Sequence, residues 1–301
     1  MSTRAATAER DDSGLLAHVN DYVRLTKPRI ISLLLVTAAA AMFVAQGGVP
    51  NGWLLLWTMV GGYLAAGGAG ALNHYVDRDI DHYMARTDGR PIVAGRVSPQ
   101  RALVFGLALG ALSAVVLGLA ANILTAVLGL VGLALYVLLY TLWLKRRTIH
   151  NIVIGGSAGA VPPLVGWAAV TGNLSVMAWI LFAIIFYWTP PHFWALALIL
   201  KRDYTAAGVP MLPVVRGVEE TKRQVFLWTL VMSGVSLLPV IAGGAGLFYL
   251  ISALVLDGVF AVFAWLMLRG EGLAWARVTF HYSLLYLALL FVALAIDAAW
   301  L

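Results

Sequence analysis

One short stretch of this sequence carries an unusual density of ionisable groups. The segment LNHYVDRDIDHYMARTDGRP, residues 72–91, holds four aspartates and three arginines, whereas only 11% of the 301-residue chain is charged. The acids are Asp77, Asp79, Asp81 and Asp88, and the bases are Arg78, Arg86 and Arg90. A strongly apolar chain that concentrates its charges in one place usually does so for function.

Three oxygen-bearing side chains share one face of this stretch if it is helical. Asn73, Asp77 and Asp81 are spaced i, i+4, i+8, which places them within about 80° of one another around the helix axis, whereas Asp79 points elsewhere. We call these three residues the oxygen stripe. No Lys or Arg lies on it, so its side chains repel one another unless a cation binds there. Such oxygens suit Mg²⁺, which typically binds one or two carboxylates together with water and substrate phosphates.

Two bases that follow the stripe extend this interpretation to a phosphorylated ligand. Arg86 and Arg90 carry guanidinium groups that match pairs of phosphate oxygens. Acids and bases together predict a metal–diphosphate site at one end of a membrane helix. A salt-bridged loop at the membrane surface is the structural alternative; it explains the mixed charge but not the one-sided stripe.

A second polar stretch, residues 190–214, is the counterpart of the first. Lys201, Arg202 and Asp203 directly follow an apolar run, and His192 lies inside that run. His192 and Asp203 differ by about 20° around the axis if the helix between them is unbroken. A polar side chain inside a membrane span usually faces a cavity. A hydrogen-bonded packing histidine is the alternative.

Membrane helices must position both stretches. The chain is 61% hydrophobic, and apolar runs of about 18 residues or more recur along it. They predict an all-α polytopic membrane protein with nine transmembrane helices around a central cavity, since lipid leaves open backbone groups unpaired. The predicted spans are 29–46, 53–72, 101–120, 123–144, 150–170, 176–199, 224–242, 246–268 and 279–300. The absence of cysteine excludes disulfides and thiolate metal sites.

The basic residues predict the topology. All 20 Lys and Arg residues fall at alternate connections between the spans, which places the N-terminus in the cytoplasm and the C-terminus outside. The long loops, 73–100 and 200–223, then face the cytoplasm, and we expect them to meet at one cavity. Basic loops account for the net charge of +6, so no nucleic-acid partner is expected.

The chain divides into a short tail and one domain. Residues 1–28 form a polar tail of mixed charge, which we expect to be cytoplasmic and disordered as far as about Gly14. The acidic residues of this tail argue against a transit peptide. The first apolar run has no convincing cleavage site, so no signal peptide is expected. Residues 29–301 are predicted to form a single nine-helix domain, in which Gly155, Gly156 and Gly159 permit close helix packing.

Taken in order, the motifs resemble those of the UbiA-type intramembrane prenyltransferases, and locally those of the branch that farnesylates protohaem IX. The matching residues are Thr26–Arg29, Asn73–His74 with Asp77 and Asp81, Arg86 to Pro91, Leu144–Arg146 with Asn151, Gly155–Gly156 to Pro162–Pro163, His192–Trp194, Asp203–Tyr204, Ala207–Gly208 and Pro210–Pro213. They cover the first 215 residues. Many relatives carry two aspartates four apart in the second loop, but here Ala207 follows Asp203. This departure fits the haem branch, disfavours quinone-type acceptors and leaves open whether a second metal ion binds fully.

The resemblance implies an enzyme that transfers a farnesyl group from farnesyl diphosphate to a vinyl group of protohaem (haem b). Water addition then gives haem O, with diphosphate as the other product. The implied cofactor is Mg²⁺, held by Asn73, Asp77, Asp81 and Asp203. The implied diphosphate ligands are Arg86, Arg90, Lys145 and Lys201. For the haem, the candidates are His192, then His74, together with Tyr204.

Further roles follow from the same resemblance. Aromatic faces can stabilise the allylic cation; the candidates are Tyr140, Tyr187, Trp188, Phe193 and Trp194. Lys27, Arg29, Arg146 and Arg147 are candidates for pairing haem propionates, or else anchors at the membrane surface. The expected location is a bacterial cytoplasmic (inner) membrane with the active face in the cytoplasm. Expected partners are membrane lipid and haem-handling or oxidase-assembly proteins.

Two alternatives remain open from the sequence. One is a prenyltransferase that uses another aromatic acceptor, such as a hydroxybenzoate or a chlorophyll precursor. The other is a transporter, in which Asp257 in the middle of the eighth span would bind a coupling ion. Asp257 has its own structural alternative, which is pairing with another buried polar group.

Overall fold

Helices account for the regular structure of residues 14–300, the part of the chain that the computed structural model describes. They are α1 (Leu15–Thr26), α2 (Pro28–Gln46), α3 (Gly52–Asp81), α4 (Pro99–Ala120), α5 (Ile123–Ala134), α6 (Asn151–Thr171), α7 (Val176–Ile199), α8 (Lys201–Ala206), α9 (Leu212–Val215), α10 (Gly217–Ser236), α11 (Leu238–Ile241), α12 (Leu247–Arg269) and α13 (Ala274–Trp300). A π-helical segment, Leu135–Leu144, continues α5. Within the described residues, nine helical stretches are long and apolar enough to cross a membrane. The all-α prediction is confirmed.

Several helices extend beyond the predicted spans. Helix α3 runs on to Asp81, although the predicted span ended at residue 72, so the oxygen stripe continues the second span without a break. The seventh span begins at Gly217 rather than at residue 224 and contains an interruption at Leu237. The predictions ended these two spans where the polar residues begin. Charged residues in the added turns are paired, Asp77 with Lys145, Asp81 with Arg90 and Glu219 with Lys222.

Helix α1 lies within the residues predicted to form a polar tail. It packs on α3 through the fully buried Leu25, and the ring of Tyr22 contacts that of Phe105 in α4 at 5.0 Å between centroids. The predicted disorder falls on residues 1–13, which lie outside the described residues, and on Gly14.

The spans follow one another around a closed ring. Helix α3 packs on α4, α4 on α5, α5 on α6, α6 on α7, α7 on α10, α10 on α12, α12 on α13, α13 on α2, and α2 on α3. Helix α6 is the most enclosed span, with 72% of its apolar window buried, because it also packs on α2.

The glycines of α6 mark close helix contacts. A Cβ added at Gly166 would overlap the carbonyl oxygen of Ala38 in α2, one at Gly155 would overlap the ring of Tyr140, and one at Gly156 would lie 2.7 Å from the Thr189 methyl group. The packing prediction therefore holds for Gly155 and Gly156. Gly159 has no atom within 4 Å of an added Cβ, so it makes no such contact.

Candidate active site

The last turns of α3 bury the oxygen stripe. Asn73, Asp77 and Asp81 are 3%, 0% and 1% exposed, and Nδ2 of Asn73 donates to Oδ2 of Asp77 at 2.7 Å. Asp79 has a largely exposed side chain on another face, where Arg146 pairs with it at 2.6 Å. The shared face that the spacing predicted is confirmed for Asn73 and Asp77, and Asp79 points away from them.

Bases from elsewhere in the chain neutralise the two carboxylates of the stripe. Nζ of Lys145 lies 2.5 Å from Oδ2 of Asp77, and a guanidinium nitrogen of Arg90 lies 2.5 Å from Oδ2 of Asp81. Burial lowers the pKa of Lys145, and the negative charge of Asp77 opposes that shift. The repulsion inferred from the sequence is therefore relieved by bases that lie off the stripe. Lys145 and Arg90 are also two of the four predicted diphosphate ligands.

A third base, Lys27, contacts the remaining member of the stripe. It joins α1 to α2 with φ of 59°, and among the described residues it alone has a positive φ without being glycine. Such a conformation costs roughly 1–3 kcal/mol and tends to occur at functional sites. Its Nζ donates to Oδ1 of Asn73 at 2.5 Å. Burial, reinforced by the charge of Arg90, lowers the pKa of Lys27.

The π-helical segment supplies contacts that the sequence did not predict. Thr141 accepts a hydrogen bond from Nδ2 of Asn73 at 3.1 Å and donates to the carbonyl of Tyr136 at 2.8 Å. The N–H of Lys145 bonds the carbonyl five residues earlier, that of Tyr140, at 2.8 Å. Stretches of π-helix are often found at functional sites. From the sequence, Leu135–Leu144 is indistinguishable from an ordinary apolar helix.

The two long loops meet next to the stripe. Met84 from the first loop and Tyr204 and Met211 from the second belong to one buried cluster. The guanidinium of Arg86 lies 5.6 Å from the centre of the Tyr204 ring. Burial raises the pKa of Tyr204, and the charge of Arg86 opposes the shift. The contact between the loops is as predicted; a cavity shared by them stays a prediction.

Two predicted ligands from the second loop remain apart from these ion pairs. The side chains of Lys201 and Asp203 are partly exposed and make no hydrogen bond or ion pair within residues 14–300. No set of three His, Cys, Asp or Glu side chains in that range is arranged to hold a metal ion. Asp203 therefore does not complete a three-carboxylate site with Asp77 and Asp81.

The oxygen stripe nevertheless suits a divalent cation whose remaining ligands are water and phosphate. Oδ1 of Asp77 and Oδ1 of Asp81 are both buried and lack a hydrogen-bond partner. Arg146 approaches the first of these atoms only to 3.6 Å, which is too long for a hydrogen bond. Two carboxylate oxygens without a hydrogen bond match the way Mg²⁺ binds one or two carboxylates, with water and phosphate completing its shell. The described residues do not form a site in which protein side chains alone would complete the coordination shell of the ion.

His192 is held in a fixed orientation inside the bundle. Its ring stacks between Trp188 and Phe280, at centroid distances of 4.3 and 5.0 Å, and Nδ1 lies 2.6 Å from Oγ of Ser283. Helix α7 ends at Ile199 and α8 begins at Lys201, so the unbroken helix that would align His192 with Asp203 is absent.

The second candidate histidine adjoins the stripe. His74 is 4% exposed, and its Nδ1 has no hydrogen-bond partner among the residues described. It follows Asn73 directly, so it lies one residue from the contact with Lys27. Of the two candidates, only His74 keeps a buried ring nitrogen unpaired beside the stripe.

The five predicted aromatic residues do not form one group. Tyr140 and Phe193 pack against the cluster in which the two loops meet. Trp188 stacks on His192, whereas Tyr187 and Trp194 contact the ring of a tryptophan in α10. Of the five, Tyr140 and Phe193 therefore adjoin the place where the two loops meet; a cation-stabilising role for them stays a prediction.

Asp257 lies apart from this site, in a polar cluster of its own. Its Oδ2 accepts from Ser236 at 2.6 Å and its Oδ1 from Tyr286 at 2.7 Å. The structural alternative for this residue, pairing with other buried polar groups, is therefore confirmed.

Similarity to known proteins decides the family of this chain. The model of the UbiA prenyltransferase family matches residues 34–298. The chain belongs to this family. The resemblance inferred from the motifs is thereby confirmed, and it extends well beyond the first 215 residues.

Sequence relatives point to one branch of the UbiA family. The chain is 51% identical to a "Protoheme IX farnesyltransferase" of Gloeobacter violaceus, covering 100% of this chain and 99% of that one. It is 52% identical to a protein of the same name from Symbiobacterium thermophilum, covering 97% and 98%. The relative from Chloroflexus aurantiacus is 54% identical over 93% of this chain, which spans only 48% of that longer protein.

Solved structures of UbiA proteins share the fold. A digeranylgeranylglyceryl phosphate synthase superposes with a TM-score of 0.76 at 18% identity, covering 94% of this chain and 99% of that one. A UbiA homologue from Archaeoglobus fulgidus, bound to GPP and Mg²⁺, gives 0.66 at 16% identity and covers 91% and 99%. At such low identity these structures establish the fold alone.

Proposed function

We propose that this protein transfers a farnesyl group from farnesyl diphosphate to a vinyl group of haem b, with addition of water, giving haem O. The observation that carries the proposal is the identity of 51–52% along nearly the whole length of two relatives named protohaem IX farnesyltransferase. The oxygen stripe with its bases supplies the chemistry such a transfer needs. Several longer relatives extend beyond the part that this chain matches.

The stripe is the proposed cation site. Asp77 and Asp81 would hold Mg²⁺ through their Oδ1 atoms, which lack hydrogen-bond partners, with Asn73 and Asp203 contributing through water. Bound there, Mg²⁺ would supply positive charge to the departing diphosphate.

Bases around the stripe prepare the leaving group. Lys145 and Arg90 already lie at the carboxylates, and Arg86 and Lys201 would approach from the two loops. The C1–O bond of farnesyl diphosphate breaks, and its electron pair leaves with the diphosphate. Fixed positive charges stabilise the growing negative charge in this step, while the rings of Tyr140 and Phe193 face the allylic cation.

The acceptor then forms the new carbon–carbon bond. The π electrons of a haem vinyl group attack C1 of the cation, which leaves positive charge on the carbon next to the porphyrin. Water adds to that carbon and loses a proton, so the product carries a hydroxyl group. We assign haem orientation to His192 and His74, with Tyr204 near the reacting end. Lys27, Arg29, Arg146 and Arg147 are the candidate bases for the propionates.

The proposed cellular setting is supported by the bacterial relatives and by the distribution of the basic residues. The protein would be a multi-pass protein of a bacterial cytoplasmic membrane, with the two loops and the oxygen stripe on the cytoplasmic face. Haem and the farnesyl chain would enter from lipid. Haem-handling or oxidase-assembly proteins are the expected partners, because the product must be passed to a protein that uses it.

Mass spectrometry of extracted haems tests this proposal. Membranes that contain the protein are incubated with haem b, Mg²⁺ and farnesyl diphosphate, and control membranes lack the protein. We expect a new haem, heavier than haem b by one farnesyl group and one water. Unmodified haem, together with prenylation of added 4-hydroxybenzoate, would refute haem b as the acceptor. If no diphosphate is released with either acceptor, the assignment to a prenyltransferase is refuted.

A further inference from the structure

Helix α1 exposes apolar side chains that the bundle does not cover. Leu16, Val19 and Val23 are 84%, 52% and 43% exposed, and they fall within about 60° of one another around the helix axis. We call these three residues the apolar stripe of α1. Asn20 borders this stripe, about 40° from Leu16, and Arg24 lies on the neighbouring polar face, about 80° from Leu16; both are exposed.

The opposite face of α1 is fixed to the protein. Leu25 is fully buried, and Asp21 is 8% exposed and pairs with Arg96 of the first loop at 3.0 Å. The helix therefore has three faces: one on the bundle, one polar and one apolar but uncovered. This arrangement is typical of a helix that lies in the plane of a membrane surface.

A groove continues the apolar stripe towards the bundle. It lies between α1 and helices α3 and α4 and has a volume of about 440 Å³. Its lining includes Val19, Tyr22, Val23, Tyr63, Phe105 and Leu109. At Thr26, which also lines the groove, the side-chain oxygen lies 3.0 Å from the hydroxyl of Tyr63. An aliphatic chain matches these dimensions and this lining.

We propose that the apolar stripe and the groove bind acyl chains of membrane phospholipids, so that α1 lies embedded in the membrane surface. Helix α1 ends at Thr26 and the first span begins at Pro28, which places α1 at the edge of the bilayer. Ile30 in that span is 62% exposed and extends the apolar surface into the region that lipid covers. Arg24 and Arg29, both exposed, provide charges that suit lipid phosphates.

The proposal links lipid to the site without depending on the reaction. The helix that the lipid would hold ends at Thr26, and the next residue is Lys27, whose ammonium donates to Asn73. Lipid on the apolar stripe would therefore stabilise the position from which Lys27 reaches the oxygen stripe.

Spin labels on single cysteines test the proposal, because the chain has no cysteine of its own. Leu16→Cys, Val19→Cys and Val23→Cys probe the apolar stripe, and Arg24→Cys is the control on the polar face, about 80–140° away around the helix axis. In phospholipid bilayers we expect collisions with oxygen, which concentrates in lipid, to exceed collisions with a water-soluble nickel chelate several-fold at the three stripe positions. At residue 24 we expect the reverse.

Every other pattern contradicts the proposal. Nickel collisions that dominate at the stripe would place it in water. Low collision rates for both reagents would mean that a protein, such as a second copy, covers it. Oxygen accessibility at Val23→Cys should also stay constant when farnesyl diphosphate is added; a fall would mean that the groove holds a prenyl chain rather than an acyl chain. None of these measurements requires catalytic activity.

Discussion

Nζ of Lys145 lies 2.5 Å from Oδ2 of Asp77, and the two side chains are only 7% and 1% exposed. They are 68 residues apart in sequence, so the pair ties the π-helical segment to the end of α3. Lys145 therefore neutralises the buried carboxylate of Asp77, and it also lies where a bound diphosphate would need positive charge.

Removing one partner of this pair should cost stability as well as activity. Lys145→Gln leaves Asp77 buried without its base, a loss of roughly 3–5 kcal/mol in comparable buried pairs. Adding Asp77→Asn should restore much of that stability without restoring farnesyl transfer. Thermal unfolding and turnover of the single and double variants measure both effects, with the exposed Arg202→Gln as control. An unchanged unfolding temperature in Lys145→Gln would contradict this account of the pair.

Asp77→Asn tests the cation site while keeping the shape of the side chain. Losing one charge that acts in the transition state typically costs about 2.7–4 kcal/mol, or roughly a hundred- to a thousand-fold in rate. Asp79→Asn, two residues along, is the matched control, because Asp79 is exposed and pairs with Arg146. Turnover is measured across a range of Mg²⁺ concentrations. Equal losses in both variants would show that negative charge at this end of α3, rather than the oxygen stripe, matters.

Gly155→Ala should disturb the site through packing alone. The new methyl group would overlap the ring of Tyr140, whose carbonyl accepts the N–H of Lys145, so we expect reduced turnover and stability. Gly159→Ala is the control on the same helix; with open space around it, it should be neutral or stabilising by about 0.5–1 kcal/mol. The comparison uses thermal unfolding and turnover. If both variants show the same turnover and unfolding temperature, contact with Tyr140 is not the reason that residue 155 must be small.

The topology can be tested with single cysteines introduced into this cysteine-free chain. Ser98→Cys and Thr205→Cys lie in the two long loops, and both positions are exposed. An impermeant thiol reagent added to intact cells should miss both and should label Asn173→Cys in the connection between α6 and α7. Labelling of residue 98 or 205 from outside would place the loops on the wrong face.

Local spacing made much of the fold and half of the site predictable. Continuous apolar runs predicted the spans, and the i, i+4, i+8 pattern predicted the shared face, because both depend only on helix geometry. The partners of the stripe were not predictable as such. Lys27 reaches Asn73 across 46 residues and Lys145 reaches Asp77 across 68, and only the packed bundle brings them together.

Other features lack any clear sign in the sequence. The π-helical bonding that aims Thr141 at Asn73 depends on packing around an ordinary-looking apolar stretch. The break at Leu200, which separates His192 from Asp203, comes from one residue with φ of −98° and ψ of 19°. Helix α1 was not predicted, because its apolar residues lie in a segment whose average composition is polar.

The most direct test of the central claim is a competition between acceptors on purified protein. The protein in lipid nanodiscs receives haem b and 4-hydroxybenzoate in equal amounts, with radiolabelled farnesyl diphosphate and Mg²⁺, and the products are separated by chromatography. We predict label in haem and none in the benzoate, with the signal lost on chelation of Mg²⁺ and reduced about a hundred-fold or more in Asp77→Asn. Label in the benzoate, or haem labelling that survives both treatments, would contradict the account.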